Sequence, residues 1–520
     1  MATLKTRFPN PAFPLLERFA LKDAALARAL VWWVGIAFLT FAGWTILQFA
    51  TPHIIGHDGY YHIKIADVMR RAGLAGLRLD FIWLPLTILA PNAFADHHYL
   101  YHILLIPFTF IDLTLGAKLA SIVFPALTFL TIAWSLRRQH VFGAFAWTLA
   151  LFLLSDPFLF RLAMPRAQAL SLLVLIVGIQ WMLDGKERRL ALLAFVYVWL
   201  YNAFLLLPLC AVLYAVAVFV AERRLAWRVV LYVGIGTTLG FVLHPYTPNN
   251  ILFTFQHLYP KFLQQLGYAE GFNTTASVGS EWAPYQTWTL VNNSGPALAL
   301  FALGALGLGM RAKRMNTAEL TWFLCALVFG VLLAQARRFI EYYPAFALIF
   351  CAIVWSDTLR AAWQNHSRRT RLIAVGALAV IVIVAAQFTF RSATKTIAAQ
   401  PAPIFQGASQ WLIANTPQGA RVFQTDWDDF PQLYFFNSHN TYTLGLDPTY
   451  SELYDRELYK TWVKLTRGTI KQPAETIRQQ FGADYIISDL KHDAFINDAR
   501  RDPNMQVVYS DNHAIVFRIR

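Results

Sequence analysis

The residues of this chain best suited to chemistry are polar side chains set between long apolar runs. Gly56-His57-Asp58-Gly59-Tyr60-Tyr61-His62-Ile63-Lys64 follows the first such run, 29–50. An Asp flanked by His and Tyr is a poor packing choice, but it suits a bound cation or a polar substrate. At the head of a helix over 61–71, Asp58 equally suits an N-cap. Further along come Asp96-His97-His98, then Arg161 and Arg166, then Ser277-Val278-Gly279-Ser280-Glu281, then Arg337-Arg338. Carboxylates and imidazoles bind divalent metals. Arginines grip phosphate through paired N–H donors. Together these groups fit a reaction on a phosphorylated donor, with a metal or arginine stabilising the leaving phosphate.

Apolar helices must carry these groups. Of 520 residues, 57% are hydrophobic and 14% charged, against about a quarter charged in soluble domains. The chain reads as a polytopic α-helical membrane protein. A span needs roughly 20 apolar residues. Eleven segments qualify or come close: 29–49, 116–135, 141–155, 167–184, 189–202, 204–221, 228–245, 296–311, 317–336, 342–356 and 371–391. No cleavable signal peptide is expected. The net charge of +14 sits in short basic clusters between spans, a topology signal rather than a nucleic-acid surface. Cys210, Cys325 and Cys351 all lie in apolar runs, so neither a disulfide framework nor a Cys-based zinc site is expected. There is no Walker-type loop or Gly-rich strand-to-helix turn for a nucleotide.

The basic clusters orient the chain. With Lys5, Arg7, Arg18, Lys22 and Arg28 in the cytoplasm, the cytoplasmic turns hold Arg137-Arg138, Lys186 with Arg188-Arg189, Arg223-Arg224, Arg311 with Lys313-Arg314, and Arg360 with Arg368-Arg369 and Arg371. Arg337-Arg338 alone falls at the outer end of a span, where paired arginines are costly and often functional. Four segments then face outward. The first, 50–115, holds Asp58 and Asp96, and its apolar pieces 81–90 and 102–110 read as helices lying in the interface. The second, 156–166, adds Arg161 and Arg166. The third, 246–295, holds Glu270 and Glu281 as its only acids. The fourth, 392–520, is a polar α/β domain. Its strands are expected at 421–425, 434–436, 484–488, 506–509 and 514–519, and its helices at 404–415, 451–466, 474–481 and 491–500. The polar run 437–450 suits either ligand binding or turns.

Four of these motifs, in this order, resemble the GT-C glycosyltransferases, most of all the catalytic subunit of oligosaccharyltransferase. Asp58 through Lys64 resembles that family's first-loop motif, and Ser277 through Glu281 with Pro284 and Trp288 its external-loop Ser-Val-Ser-Glu signature. Arg337-Arg338-Phe339 resembles the donor-phosphate region, and Asp426-Trp427-Asp428-Asp429-Phe430 the Trp-Trp-Asp acceptor motif. The resemblance implies a GT-C-like bundle, 29–391, after a cytoplasmic segment, 1–28, and before an extracytoplasmic domain, 392–520. It implies inverting transfer from a polyprenyl-linked sugar donor to a protein, lipid or glycan acceptor, with release of polyprenyl phosphate or diphosphate. Asp58 and Glu281 are the implied catalytic residues and, with His57, ligands of a divalent metal, Mg or Mn. Arg337, Arg338, Arg161 and Arg166 would hold the donor phosphate, and Tyr60, Trp427 and Asp428 the acceptor. The family's second acidic motif has no counterpart, since 161–170 carries no acid. Asp96 with His97, or the charge of Arg166, are the candidates to replace it. The implied setting is the inner (plasma) membrane of a bacterium, with an archaeal or organellar membrane as the alternative, the C-terminal domain extracytoplasmic (periplasmic) and no nucleic-acid partner. A transporter or flippase of a lipid-linked substrate, or a non-catalytic scaffold, remain the alternatives.

Overall fold

Helix dominates wherever the apolar runs lie. The computed structural model describes residues 13–261, 280–310 and 314–520. Lys5, Arg7, Glu270, Ser277, Val278, Gly279, Arg311 and Lys313 lie outside the described residues. The first ten helices are α1 (Phe13–Gln48), α2 (Asp58–Arg71), α3 (Tyr99–Leu105), α4 (Leu113–Arg138), α5 (Ala144–Ala150), α6 (Asp156–Ala163), α7 (Gln168–Leu183), α8 (Glu187–Leu200), α9 (Leu206–Glu222) and α10 (Trp227–Val242). Beyond them run Thr287–Gly309, Thr317–Gln335, Tyr343–Asn365 and Arg368–Phe388, the last extended by Phe390–Ala398.

Each of the eleven expected segments is helical. Among the described residues, six helices are long and apolar enough to cross a membrane. A seventh would be α5 with α6, which meet at a 90° bend. Helices α7, α9 and α10 are apolar but run only 16, 17 and 16 residues. At 1.5 Å per residue that is about 25 Å, short of the ~30 Å hydrocarbon core. The count of eleven is therefore an upper reading of this bundle.

Two short segments set up the outer face. The link between α1 and α2 is tied down by Lys118 on α4, whose ammonium donates to the carbonyls of Gln48 and Thr51, both at 2.6 Å. A cation at the end of α1 satisfies carbonyls that no helical turn can reach. The 90° bend before α6 is fixed by Ser155, which accepts from the Phe158 N–H at 3.2 Å, with Pro157 following in the first turn. That pairing of cap and proline is what starts a helix sharply.

Residues 81–90 form turns rather than the expected interfacial helix. Phe81, Leu84 and Leu89 are buried under the outer unit, so their apolar character serves packing and not lipid. Residues 102–110 are helical, as the end of α3 and a 3₁₀ turn.

The outer unit is a five-stranded mixed sheet, β1 (Arg421–Gln424), β2 (Thr441–Tyr442), β3 (Tyr485–Asp489), β4 (Met505–Ser510) and β5 (Ala514–Ile519), in the order β2-β1-β3-β5-β4. β1 pairs in parallel with β2 and β3, while β5 runs antiparallel between β3 and β4. Apolar side chains bury on both faces, as the helices 406–415, 456–466 and 493–501 require. The expected strand at 434–436 is instead the helix Phe430–Phe436, started by Pro431. Its aromatic face packs on α2, with Tyr434 5.9 Å and Phe430 6.3 Å from the Tyr61 ring, and Phe435 5.2 Å from Tyr60. Trp83 completes the joint. Its indole donates to Ser438 O at 2.8 Å, and its carbonyl accepts from the Tyr442 N–H at 2.8 Å. The expected helix 451–466 is two helices, 448–454 and 456–466, broken at Asp455, which caps the second.

Candidate active site

Gly56 and Gly59 decide where Asp58 goes. Gly56 sits at φ +76°, and a Cβ there would lie 2.7 Å from Met164 Sδ. A Cβ on Gly59 would come within 2.2 Å of Pro165 Cγ. Only glycines permit so close an approach. They press the first turn of α2 against residues 164–166, and so bring Asp58 to Arg166. The two groups form an ion pair, Nη2 to Oδ2 at 3.2 Å. Asp58 is not a cap: the N-cap position is His57, whose side chain makes no cap hydrogen bond.

The contact opens a cavity of about 410 Å³ between the helix bundle and the outer unit. Its basic wall is Arg161, Arg166 and Arg338. Arg161 pairs with Glu281 at 2.8 Å and with the fully buried Glu341. Arg166 bridges Asp58 and Glu281, the latter at 3.7 Å. Arg338 reaches Glu281 at 3.9 Å, donates to the Tyr201 hydroxyl at 2.9 Å and lies over the Trp282 ring at 4.0 Å. Burial alone would raise the Glu281 carboxyl, but Arg166, Arg338 and Arg161 hold it well below the usual carboxylate range. Burial would likewise weaken the Arg166 cation, and Asp58 and Glu281 keep it charged.

Arg337 faces the other way. Its backbone N–H bonds to Ala283 O at 3.1 Å, its Nε to Pro284 O at 3.2 Å, and its guanidinium lies 5.3 Å from the Tyr285 ring. It clamps the loop that carries Glu281 and does not line the cavity. Tyr60 is a second correction. It is 4% exposed in the core, its phenol pushed up to about 12 by burial, and it does not line the cavity.

The outer unit contributes Trp427 and Asp428, as expected, together with Leu446, Asp447, Pro448 and Tyr450. Asp447 caps the helix 448–454 by accepting from the Thr449 N–H at 2.9 Å. Its second oxygen lies 2.5 Å from Lys261 Nζ and 3.4 Å from His257 Nε2. Burial opposes its charge, but Lys261 and His257 hold the Asp447 carboxyl far below its ordinary value. The expected polar run thus divides: Asp447 enters the site, whereas Asn437 and Asn440 are buried and bonded to each other at 2.7 Å. Lys261 was not anticipated. One signal for it exists, since it is the only Lys or Arg from 246 to 295, in a segment assigned to the outer side.

The expected metal set does not assemble. Asp58 and Glu281 face a shared guanidinium, and His57 is exposed. Among the described residues no three His, Cys, Asp or Glu are placed to hold a metal ion. Two carboxylates already neutralised by Arg166 are poor donors for a divalent ion, so the described residues do not fit one. Asp96 and His97 do not replace the missing acidic motif either. Asp96 pairs with His102 at 2.7 Å, and His97 stacks on Phe253 at 4.7 Å.

No family profile and no curated protein sequence matches the chain. Solved structures do. The archaeal oligosaccharyltransferase AglB from Archaeoglobus fulgidus, in complex with an inhibitory peptide and a dolichol-phosphate, aligns with a TM-score of 0.62 and 14% identity, over 89% of this chain and 70% of that one. The same organism's enzyme in complex with Zn and sulfate aligns at 0.56 and 14%, over 87% and 68%. ArnT from Cupriavidus metallidurans, bound to undecaprenyl phosphate, aligns at 0.55 and 15%, over 94% and 97%. These neighbours are GT-C glycosyltransferases, and the fold of this chain is theirs.

Proposed function

We propose that this protein is a GT-C membrane glycosyltransferase. It moves a sugar or oligosaccharide from a polyprenyl-phosphate or polyprenyl-diphosphate donor to an acceptor at the outer face of the plasma membrane, inverting the anomeric carbon. The observation that carries this reading is one cavity that gathers Arg161, Arg166 and Arg338 with Asp58 and Glu281, and that the outer unit closes with Trp427 and Asp428. The dolichol-phosphate and undecaprenyl phosphate held by two fold neighbours support the donor class.

In this reading all eleven helical segments belong to the membrane unit, 29–391. Residues 1–28 face the cytoplasm, and 392–520 form the outer domain. The donor phosphate enters beside Arg338 and Arg166. Their contacts to Glu281, at 3.9 and 3.7 Å, are long and leave N–H donors for phosphate oxygens. Charge that develops on the leaving phosphate is stabilised by guanidinium groups already fixed in place by Glu281 and Glu341, with no reorganisation at the moment of reaction. Asp58 accepts a hydrogen bond from the acceptor, and Trp427 with Asp428 orients it. The arginines carry the charge that the expected metal would have carried.

The test is the release of polyprenyl phosphate or polyprenyl diphosphate in membranes that hold the producing cell's own lipid-linked sugars. Membranes with the wild-type protein should release it, and membranes with Arg166→Ala should not. Equal release from both, or none above membranes lacking the protein, would sink the proposal.

A further inference from the structure

The cavity has a second wall that the reading above does not use. His62 sits one helical turn after Asp58 on α2, so the two side chains share a face, and both line the cavity. His62 Nδ1 lies 2.8 Å from His102 Nε2, and His102 Nδ1 lies 2.7 Å from Asp96 Oδ2. His102 is fully buried, and Asp96 and His62 are 3% and 4% exposed. Asp96 also accepts from the His98 N–H at 3.0 Å, which fixes its orientation. Burial would raise the Asp96 carboxyl, but His102 and His97 hold it below its usual value, so it is a carboxylate.

The protons follow from this order. A carboxylate only accepts, so His102 carries its proton on Nδ1. When the His102 ring carries that single proton, its Nε2 is a lone pair and accepts from His62 Nδ1–H. His62 then presents its Nε2 lone pair, and its one side-chain hydrogen bond among the described residues is the Nδ1 contact to His102. An imidazole oriented by a second group, with a free lone pair in a reaction cavity, is a general base in waiting.

We propose that His62 is the proton acceptor of the transfer reaction, oriented by His102 and Asp96, and that the acceptor substrate is therefore a hydroxyl. This rests on the glycosyltransferase reading. The acceptor oxygen bonds to the anomeric carbon as the carbon–oxygen bond to phosphate breaks. The bonding electrons leave with the phosphate, and the hydroxyl proton passes to His62 Nε2. Asp96 stabilises the resulting imidazolium through His102 and takes no proton itself. A phosphate acceptor, already anionic, would need no such base, and a carboxamide nitrogen has its lone pair delocalised into the carbonyl, whereas a hydroxyl oxygen can attack with its own lone pair while an imidazole takes the proton it sheds. Burial keeps the resting His62 ring neutral, reinforced by the neighbouring Arg166 cation. The other groups packed around it are His98, Tyr61 and Tyr101, with ring centroids at 5.0, 5.4 and 5.3 Å.

Two measurements test this on the full-length protein. The first is ¹⁵N NMR of histidine-labelled protein in detergent, with His62 assigned by its loss in His62→Gln. At pH 7.5 it should show protonated Nδ1 and bare Nε2 for both His62 and His102. A proton on His62 Nε2 would overturn the proposal, and this readout needs no turnover. The second is release of polyprenyl phosphate or diphosphate in producing-cell membranes by His62→Ala, without and with added imidazole. Release should fall about 10²-fold, with undecaprenyl phosphate binding unchanged, and imidazole should restore it. Release within twofold of wild type would refute the role of His62. A loss that imidazole cannot restore, with binding intact, would also count against it. Absence of release by the wild type would instead remove the glycosyltransferase reading, leaving the NMR result to stand or fall alone.

Discussion

The two walls of the cavity solve opposite problems with charge. On the arginine wall, three guanidinium groups face three carboxylates, Asp58, Glu281 and Glu341, and nearly every charge is met by its opposite. On the histidine wall, His62 is buried and His97 and His98 half-buried, without a carboxylate on any of their rings, and desolvation pushes all three below the ordinary imidazole value, His97 to about 3. One wall stores charge to receive an anion. The other excludes charge until a proton arrives. Leaving-group stabilisation and proton removal need these opposite environments, and α2 sets them side by side, with Asp58 paired to Arg166 and His62 one turn on, paired to His102.

The largest effect should come from breaking the arginine wall at its centre. Arg166→Ala strands Asp58 and removes one of three cations from Glu281, which keeps Arg161 and Arg338. Turnover is expected to fall at least ~10²-fold, and melting in detergent should drop as well, because a buried ion pair loses one partner. Arg166→Lys restores charge but not the two-pronged contact and should recover only part of the loss.

A sharper cut separates two neighbours in sequence. Arg338→Ala should weaken undecaprenyl phosphate binding about tenfold or more, the worth of a charge-assisted hydrogen bond. Arg337→Ala should leave binding within about threefold and instead lower the melting temperature, since Arg337 holds the Ala283–Pro284 loop. Calorimetry on both variants checks this.

The histidine wall should show itself through pH. His62, His97 and His98 have lowered folded values, so the unfolded chain binds more protons below about 6.5. Above that pH the three cost nothing. As pH falls below it, stability should be lost at up to about 1.4 kcal/mol per pH unit for each histidine, until the folded values are reached. Melting curves from pH 7.5 to 5 measure this. The arginine wall should be indifferent over the same range, because Glu281 stays ionised. The smallest effect is expected outside both walls. Tyr60→Phe should keep turnover within about twofold and cost ~1 kcal/mol of stability, through the lost hydroxyl contact to the Ile54 backbone.

The sequence exposes much of the arginine wall and little of the histidine wall. Asp58, Glu281, Arg161, Arg166 and Arg338 are legible because charge is rare in an apolar chain and topology sends these residues to one side. Which of Arg337 and Arg338 enters the cavity is not legible, because adjacent residues diverge and only the 3₁₀ turn at 337–341 decides it. The relay escapes for a different reason. His62 and His102 are forty positions apart, and Asp96 would have read equally well as a metal ligand. The same holds for packing. Tyr434–Phe436 and 81–90 are apolar enough to suit a strand and an interfacial helix, yet both are buried in the joint between α2 and the outer unit. Only tertiary contacts determine that outcome.

The most direct test of the account is the affinity of the purified protein for undecaprenyl phosphate in excess EDTA, measured by calorimetry on wild type and Arg338→Ala. The arginine wall should bind the lipid phosphate without any divalent ion and lose that binding in Arg338→Ala. Binding that requires Mg or Mn, or that is unchanged in Arg338→Ala, would contradict it.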